Sequence, residues 1–158
     1  MENKKKYYKD YSKYLKGISF KAKIYRKFFY FPKLYKLMKG KKLEIGCGIG
    51  SFLEDYNDVL GIDINQDLIE FCNKMNLNAF VMEEDIIPYP DKSFDSILMD
   101  NVLEHIKDPL PLLMEVKRVS SNESNLIVSV PGIKGFTWDK DHKTFYDEKS
   151  LTMLFEKI

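Results

Sequence analysis

The sequence predicts an α/β protein built on a doubly wound parallel sheet, and three observations carry that prediction. From Lys41 onward, short strand-like apolar runs alternate with stretches of helical period. Directly behind the first run stands a loop with glycines at alternate positions, LEIGCGIGSF at 43–52. Acidic or amide residues then mark the far ends of the next runs, at Asp63, Glu83-Glu84-Asp85 and Asp100-Asn101. Alternation of this kind implies parallel strands joined by right-handed crossovers, which force a ligand crevice to the carboxyl ends of the strands.

The first 40 residues form a separate segment, basic, aromatic and helical. Tyr7, Tyr8, Tyr11, Tyr14, Leu15 and Ile18 recur at spacings of three and four, as do Ile24, Phe28 and Phe31. Two amphipathic helices broken near Gly17–Ser19 are expected, then a short turn over Lys33–Met38 ending at Gly40. Residues 41–158 form the second unit. Its strands are expected at Lys42–Ile45, Val59–Ile64, Ala79–Met82, Phe94–Met99 and Leu126–Val130. Its helices are expected at Ser51–Tyr56, Gln66–Met75, Leu110–Val119 with Pro109 in the first turn, and Leu151–Ile158 capped by Asp147 or Ser150.

Composition bounds the rest. A chain of 158 residues with 44% hydrophobic and 14% aromatic content can bury a real core, which excludes a disordered chain. Cys47 and Cys72 show no metal or redox spacing, and no signal-type apolar run opens the sequence. The expectation is therefore reduced thiols, a cytoplasmic location, no membrane span and no metal. The net charge of +1 hides an asymmetry: residues 1–42 hold 15 Lys/Arg against Glu2 and Asp10. Either this segment lies on the acidic remainder, or it attracts a polyanionic partner.

The glycine loop selects its ligand by what it lacks. A phosphate loop needs Gly-Lys-Ser/Thr, and here Gly50 is followed by Ser51-Phe52. A dinucleotide fingerprint needs its third glycine one residue later. Glu44, two residues before Gly46, is awkward beside a pyrophosphate and suits a cationic ligand. Asp63 can accept two ribose hydroxyls, which leaves a nicotinamide dinucleotide and S-adenosylmethionine both open; alternatively it caps the helix after it.

LEIGCGIG, GIDI, VMEEDIIPYPDKSFDSILMDNVLEHI and DHKTFYDEKSLTMLFEKI occur in order over residues 41–158. Together they resemble class I S-adenosylmethionine-dependent methyltransferases, in the small-molecule, type 11-like branch. The resemblance implies a Rossmann-like sheet of strand order 3-2-1-4-5, followed by a 6/7 hairpin that this sequence lacks. It implies that Glu44 and Gly46 line the methionine end of the cofactor, with Cys47, Gly48 and Gly50 completing a loop the ligand approaches closely. Asp63 would hold the ribose and Ile64 would pack on adenine. Within Glu83, Glu84 and Asp85, one side chain and one N–H would meet the adenine edge. Asp100 would offer its carbonyl to the ammonium group, next to Asn101.

The catalytic groups are expected to be His142 or His105, the two histidines of the chain, polarising or deprotonating the acceptor. Phe136, Trp138, Phe145 and Tyr146 would wall the acceptor pocket, and the N-terminal tyrosines would form a lid. The expected reaction is methyl transfer to a small-molecule, glycan or lipid-precursor acceptor, at oxygen. An RNA methyltransferase and a cofactor-binding remnant with a regulatory role are the alternatives, and nucleic acid is the less favoured partner. Without the hairpin, the fifth strand is an open edge. Truncation, a dimer completing the sheet, and a separate partner chain each account for it.

Overall fold

The computed structural model describes residues 19–158; Tyr7, Tyr8, Tyr11 and Tyr14 lie outside them. Five parallel strands form one sheet in the order β3-β2-β1-β4-β5. They are β1 (Lys42–Ile45), β2 (Val59–Asp63), β3 (Ala79–Val81), β4 (Phe94–Asp100) and β5 (Ser120–Ser129). The chain winds outward from β1 to β3, then crosses back to β4 on the other side. The switch point therefore falls between β1 and β4, where a crevice opens at the strand tips.

The N-terminal segment contributes α1 (Phe20–Tyr25), a π-helical turn (Arg26–Tyr30) and α2 (Phe31–Lys36). Ser19 caps α1 by accepting from the Ala22 N–H, and the helix expected before Gly17 lies outside the described residues. Further along lie α3 (Gln66–Lys74), a 3-10 turn (Leu103–His105), α4 (Leu110–Val119), α5 (Ile133–Trp138) and α6 (Glu148–Phe155).

Side chains of a strand alternate between the two faces, and each face has its own core. Leu43 and Ile45 of β1 pack with Ile97 and Met99 of β4, under Leu113 and Val116 of α4 and Leu154 of α6. Leu98 and Ile127 face the other way and pack with Phe31, Leu34, Phe52 and Ile69. Glu44 stands between Leu43 and Ile45, so it projects to that second face. Asp100, two residues beyond Leu98, does the same. The register pairs Glu44 with Leu98, which brings the two carboxylates to one end of one face.

Four elements depart from the sequence-based expectation. The stretch 51–56 forms successive turns instead of a helix. Glu54 N–H reaches Gly50 O, but Asp55 already bonds Phe52 O and Val59 bonds Tyr56 O, because the chain must reverse into β2 within a few residues. β5 begins at Ser120, six residues early. Its polar Ser120-Ser121-Asn122-Glu123 start is tolerated because it runs along the sheet edge, past a bulge opposite Phe94 and Ser96. The residues after β5 hold the helix α5 where a loop was expected. Finally, α6 starts at Glu148, three residues early, because Asp147 and Ser150 act together as a capping box.

Phe31 docks the N-terminal segment on the sheet, edge-on to Phe52 with ring centroids 5.2 Å apart. Its ring is buried in the core on that face, so its removal leaves a cavity. Phe31→Ala is expected to lower the unfolding free energy by about 3 kcal/mol, read from urea denaturation.

Candidate functional site

A cleft of about 330 Å3 opens over the tips of β1 and β4. Of the residues expected at the site, Glu44, Gly46, Cys47, Gly48, Asp100, Asn101, His105 and His142 line it. Gly50, Asp63, Ile64, Glu83, Glu84 and Asp85 do not line it, although all lie at the carboxyl ends of β1, β2 and β3. The cleft also takes in Arg26, Phe31, Trp138 and Asp139.

Glu44 dominates its electrostatics. The side chain is buried, and Oε2 has no hydrogen-bond partner. Burial, reinforced by the neighbouring Asp100, pushes the carboxyl well above its ordinary range, while Arg26 pulls the other way. Asp100 is held from three sides. Arg26 Nη2 donates to Oδ2 at 3.0 Å, and Tyr30 donates to Oδ1 at 2.6 Å. Asn101 Nδ2 adds a third bond at 2.9 Å. Burial, then the Asp100 charge, raises the Tyr30 hydroxyl, so it stays a donor. Arg26 Nε is itself buried without a partner. Sequence reading missed Arg26 and Tyr30; their spacing of four on a helical segment preceding β1 was the available signal.

The glycine loop is held from beneath. The N–H groups of Gly46 and Cys47 both bond Ile62 O at the end of β2. Gly46 has φ 72°, and a Cβ there would stand 2.6 Å from Val102 Cγ2. Gly50, at φ 74°, would place its Cβ 2.5 Å from Leu77 Cδ1 and 3.0 Å from Cys72 Sγ. Its missing side chain points into the protein, so close packing against α3 requires glycine there. The Cys47 thiol is raised by its hydrogen bond to Cys72 and by burial, which leaves it shaping the wall as an unreactive group.

Asp63 braces the loop. Oδ2 accepts from Gly48 N–H at 2.9 Å and Oδ1 from Asn65 N–H at 2.8 Å. Burial raises its carboxyl, and these N–H groups oppose the rise. The cap of α3 is Asn65, whose side chain accepts from Asp67 and Leu68 N–H, so the capping role does not fall to Asp63. Each Asp63 oxygen keeps a second lone pair for a ribose hydroxyl. Ile64 is exposed beside it. Glu83 and Ile86 close a one-bridge turn with Asp85 at φ 59°, at the tip of β3.

Across the cleft the two histidine rings meet edge to face, centroids 4.8 Å apart. His142 Nδ1 is 2.9 Å from the Phe136 carbonyl; a carbonyl only accepts, so Nδ1 carries the hydrogen and Nε2 is bare in the neutral ring. Burial, then the neighbouring His142, lowers His105. Below them Glu104 is completely buried, and burial raises it to about 7. Its backbone carbonyl accepts from Lys143 and Thr144 N–H, which pins the His142 loop over β4. The expected aromatic wall is only partly realised. Trp138 lines the cleft and Phe136 stacks on His142, but Phe145 packs edge-on against Phe136 and Tyr146 belongs to the core. Tyr146 turns inward because it enters the capped start of α6.

These features match known proteins. The family described as "Methyltransferase domain" matches residues 43–128. An uncharacterised protein of Methanocaldococcus jannaschii is 29% identical over 119 residues, covering 75% of this chain and 56% of that protein. The crystal structure of a SAM-dependent methyltransferase from Archaeoglobus fulgidus superimposes with a TM-score of 0.68 at 28% identity, covering 80% of this chain and 64% of that one. The human protein named probable tRNA methyltransferase 9B is 26% identical over 110 residues, covering 67% of this chain and 23% of its own length. This chain thus spans little more than half of the first relative and under two thirds of the solved enzyme. The chain belongs to the class I S-adenosylmethionine-dependent methyltransferases. S-adenosylmethionine is the cofactor of that class, and the residues present fit it: a buried carboxylate lacking a partner beside a second carboxylate suits an ammonium group, and Arg26 suits a carboxylate. Among the described residues no helix is long and apolar enough to cross a membrane.

Because the Glu44 carboxyl is raised in the folded state, its contribution to stability is present below the ordinary value of 4.5 and is lost as pH climbs through the raised one. Glu44→Gln is therefore expected to match the wild type in urea denaturation near pH ~4 and exceed it near pH ~8. As the test of Glu44 as acceptor for an ammonium group, the same variant is expected to bind S-adenosylhomocysteine at least about tenfold more weakly by calorimetry.

Proposed function

We propose that this chain forms the cofactor-binding and catalytic part of an enzyme that methylates a small-molecule, glycan or lipid-precursor acceptor at oxygen. The carrying observation is the unpartnered Glu44 carboxylate on one wall of a cleft whose opposite wall presents a bare His142 Nε2. Glu44 and the Asp100 carbonyl take the ammonium, Arg26 the carboxylate, and the Gly46-Cys47-Gly48 backbone the methionine chain beside them. Asp63 accepts the ribose hydroxyls, Ile64 covers adenine, and Glu83, Glu84 or Asp85 meets the adenine edge. When bound, the sulfonium of S-adenosylmethionine supplies an already activated methyl group. What remains for the protein is to hold the acceptor oxygen in line and exclude water. His142 Nε2 accepts or polarises the acceptor proton, with Phe136 O fixing the tautomer and His105 packed against the ring.

The measurement is transfer of radiolabelled methyl from S-adenosylmethionine to fractionated cell extract. A labelled small molecule or lipid-linked fraction is expected. His142→Ala is expected to cut turnover by about 100-fold with S-adenosylhomocysteine affinity unchanged; near-normal turnover at saturating cofactor would remove the histidine from the chemistry.

An RNA acceptor is the second reading, favoured by the 15 basic residues among the first 42 and by the likeness to the protein named probable tRNA methyltransferase. It requires transfer RNA binding that falls steeply with salt, with a log–log slope of several units. Salt-insensitive or undetectable binding in a filter assay would leave the small-molecule reading alone. The outer edge of β5 is the place where a second copy or a partner chain would add a strand, and a monomer by light scattering would exclude self-pairing.

A further inference from the structure

Glu104 poses a problem the methyl-transfer reading does not solve. Both of its carboxylate oxygens are buried and have no hydrogen-bond partner, although a lone buried carboxylate is among the costliest groups a fold can hold. Directly above it stand the only two histidines in the sequence. His142 Nε2 lies 3.9 Å from Glu104 Oε1, and one ligating atom from each of Glu104, His105 and His142 falls within 4.8 Å of the others. Among the described residues no other group of three His, Cys, Asp or Glu side chains converges in this way.

We propose that Glu104, His105 and His142 form a binding site for a divalent transition-metal ion, set in the acceptor side of the cleft. Ligands around such an ion stand about 3.4 Å apart in a tetrahedron, so each atom here closes in by less than ~1 Å. Phe136 O holds the Nδ1–H of His142, so that ring turns its Nε2 toward Glu104 already oriented for coordination. Two imidazoles and one carboxylate select zinc, iron, cobalt or manganese over magnesium, which prefers oxygen ligands. The ion also removes the penalty at Glu104, because its charge replaces the missing hydrogen bonds.

Three protein ligands leave a position open, and His105, His142 and the adjacent Asp139 all border the cleft. An acceptor oxygen entering there would bind the ion and lose its proton to water at neutral pH, because the ion lowers the pKa of a bound hydroxyl. His142 would then act through the metal, as a ligand. This use of the ion rests on the methyl-transfer reading; its binding does not.

The test is titration of chelator-stripped protein with Co2+, followed by visible absorption, and with Zn2+, followed by calorimetry. One ion per chain is expected, with Kd below about 10 µM. Glu104→Gln and His142→Ala are each expected to weaken it at least about tenfold, while S-adenosylhomocysteine affinity stays within about threefold. The Co2+ spectrum should lack the intense sulfur-to-metal band of a thiolate site. The proposal is overturned by the absence of saturable uptake, by equal uptake in both variants, or by a thiolate band placing the ion on Cys47 and Cys72. Retained S-adenosylhomocysteine binding without metal uptake would sink the metal site alone. Metal uptake without any methyl transfer would sink the functional reading and leave the site standing.

Discussion

Two carboxylates on one face of two adjacent parallel strands are the constraint around which this molecule is arranged. Strand periodicity sends Glu44 and Asp100 to the same side, and the β1–β4 register brings them to the same end. Burial raises the Glu44 carboxyl, and the like charge of Asp100 so close by adds to the rise. The N-terminal segment answers half of that repulsion, with Arg26 and Tyr30 both bonded to Asp100. The other half stays open at Glu44, whose Oε2 is buried without a hydrogen-bond partner.

The N-terminal segment is therefore more than an appendage. Phe31 anchors it by an aromatic edge contact, Arg26 lies over the same ring at 5.0 Å, and Tyr35 stacks on Tyr56 at 4.0 Å. These contacts carry the segment across the tips of β1 and β4 and make it one wall of the cleft. On the other wall, the bonds from Lys143 and Thr144 to the Glu104 carbonyl draw the post-β5 loop back over β4. The crevice is a consequence of the topology, but its depth comes from these two loops folding in from opposite sides.

The glycine loop answers to the core beneath it as well as to the cleft. Its position, its positive φ angles and its place above β1 follow from the residues alone. Gly50 is required by Leu77 and Cys72 beneath it, where a Cβ would clash. Asp63 likewise spends two lone pairs on the backbone of Gly48 and Asn65, so the residue that would hold a ribose also sets the shape of the loop. The short helix expected at 51–56 failed because helical period in six residues cannot compete with the reversal into β2.

The sequence by itself determined the fold class, the strand order through its likeness to a known family, and the identity of most groups at the strand tips. Those features repeat along the chain with a local period, and a local period is legible in one dimension. Only the tertiary structure decided which of those groups meet. Arg26 and Asp100 are 74 positions apart, and nothing in either neighbourhood announces the other. The convergence of Glu104 with both histidines depends on two backbone hydrogen bonds between distant loops, and a carboxylate buried without partners is a property of packing. Long-range partners are chosen by the summed geometry of the whole core, which no stretch of residues encodes alone.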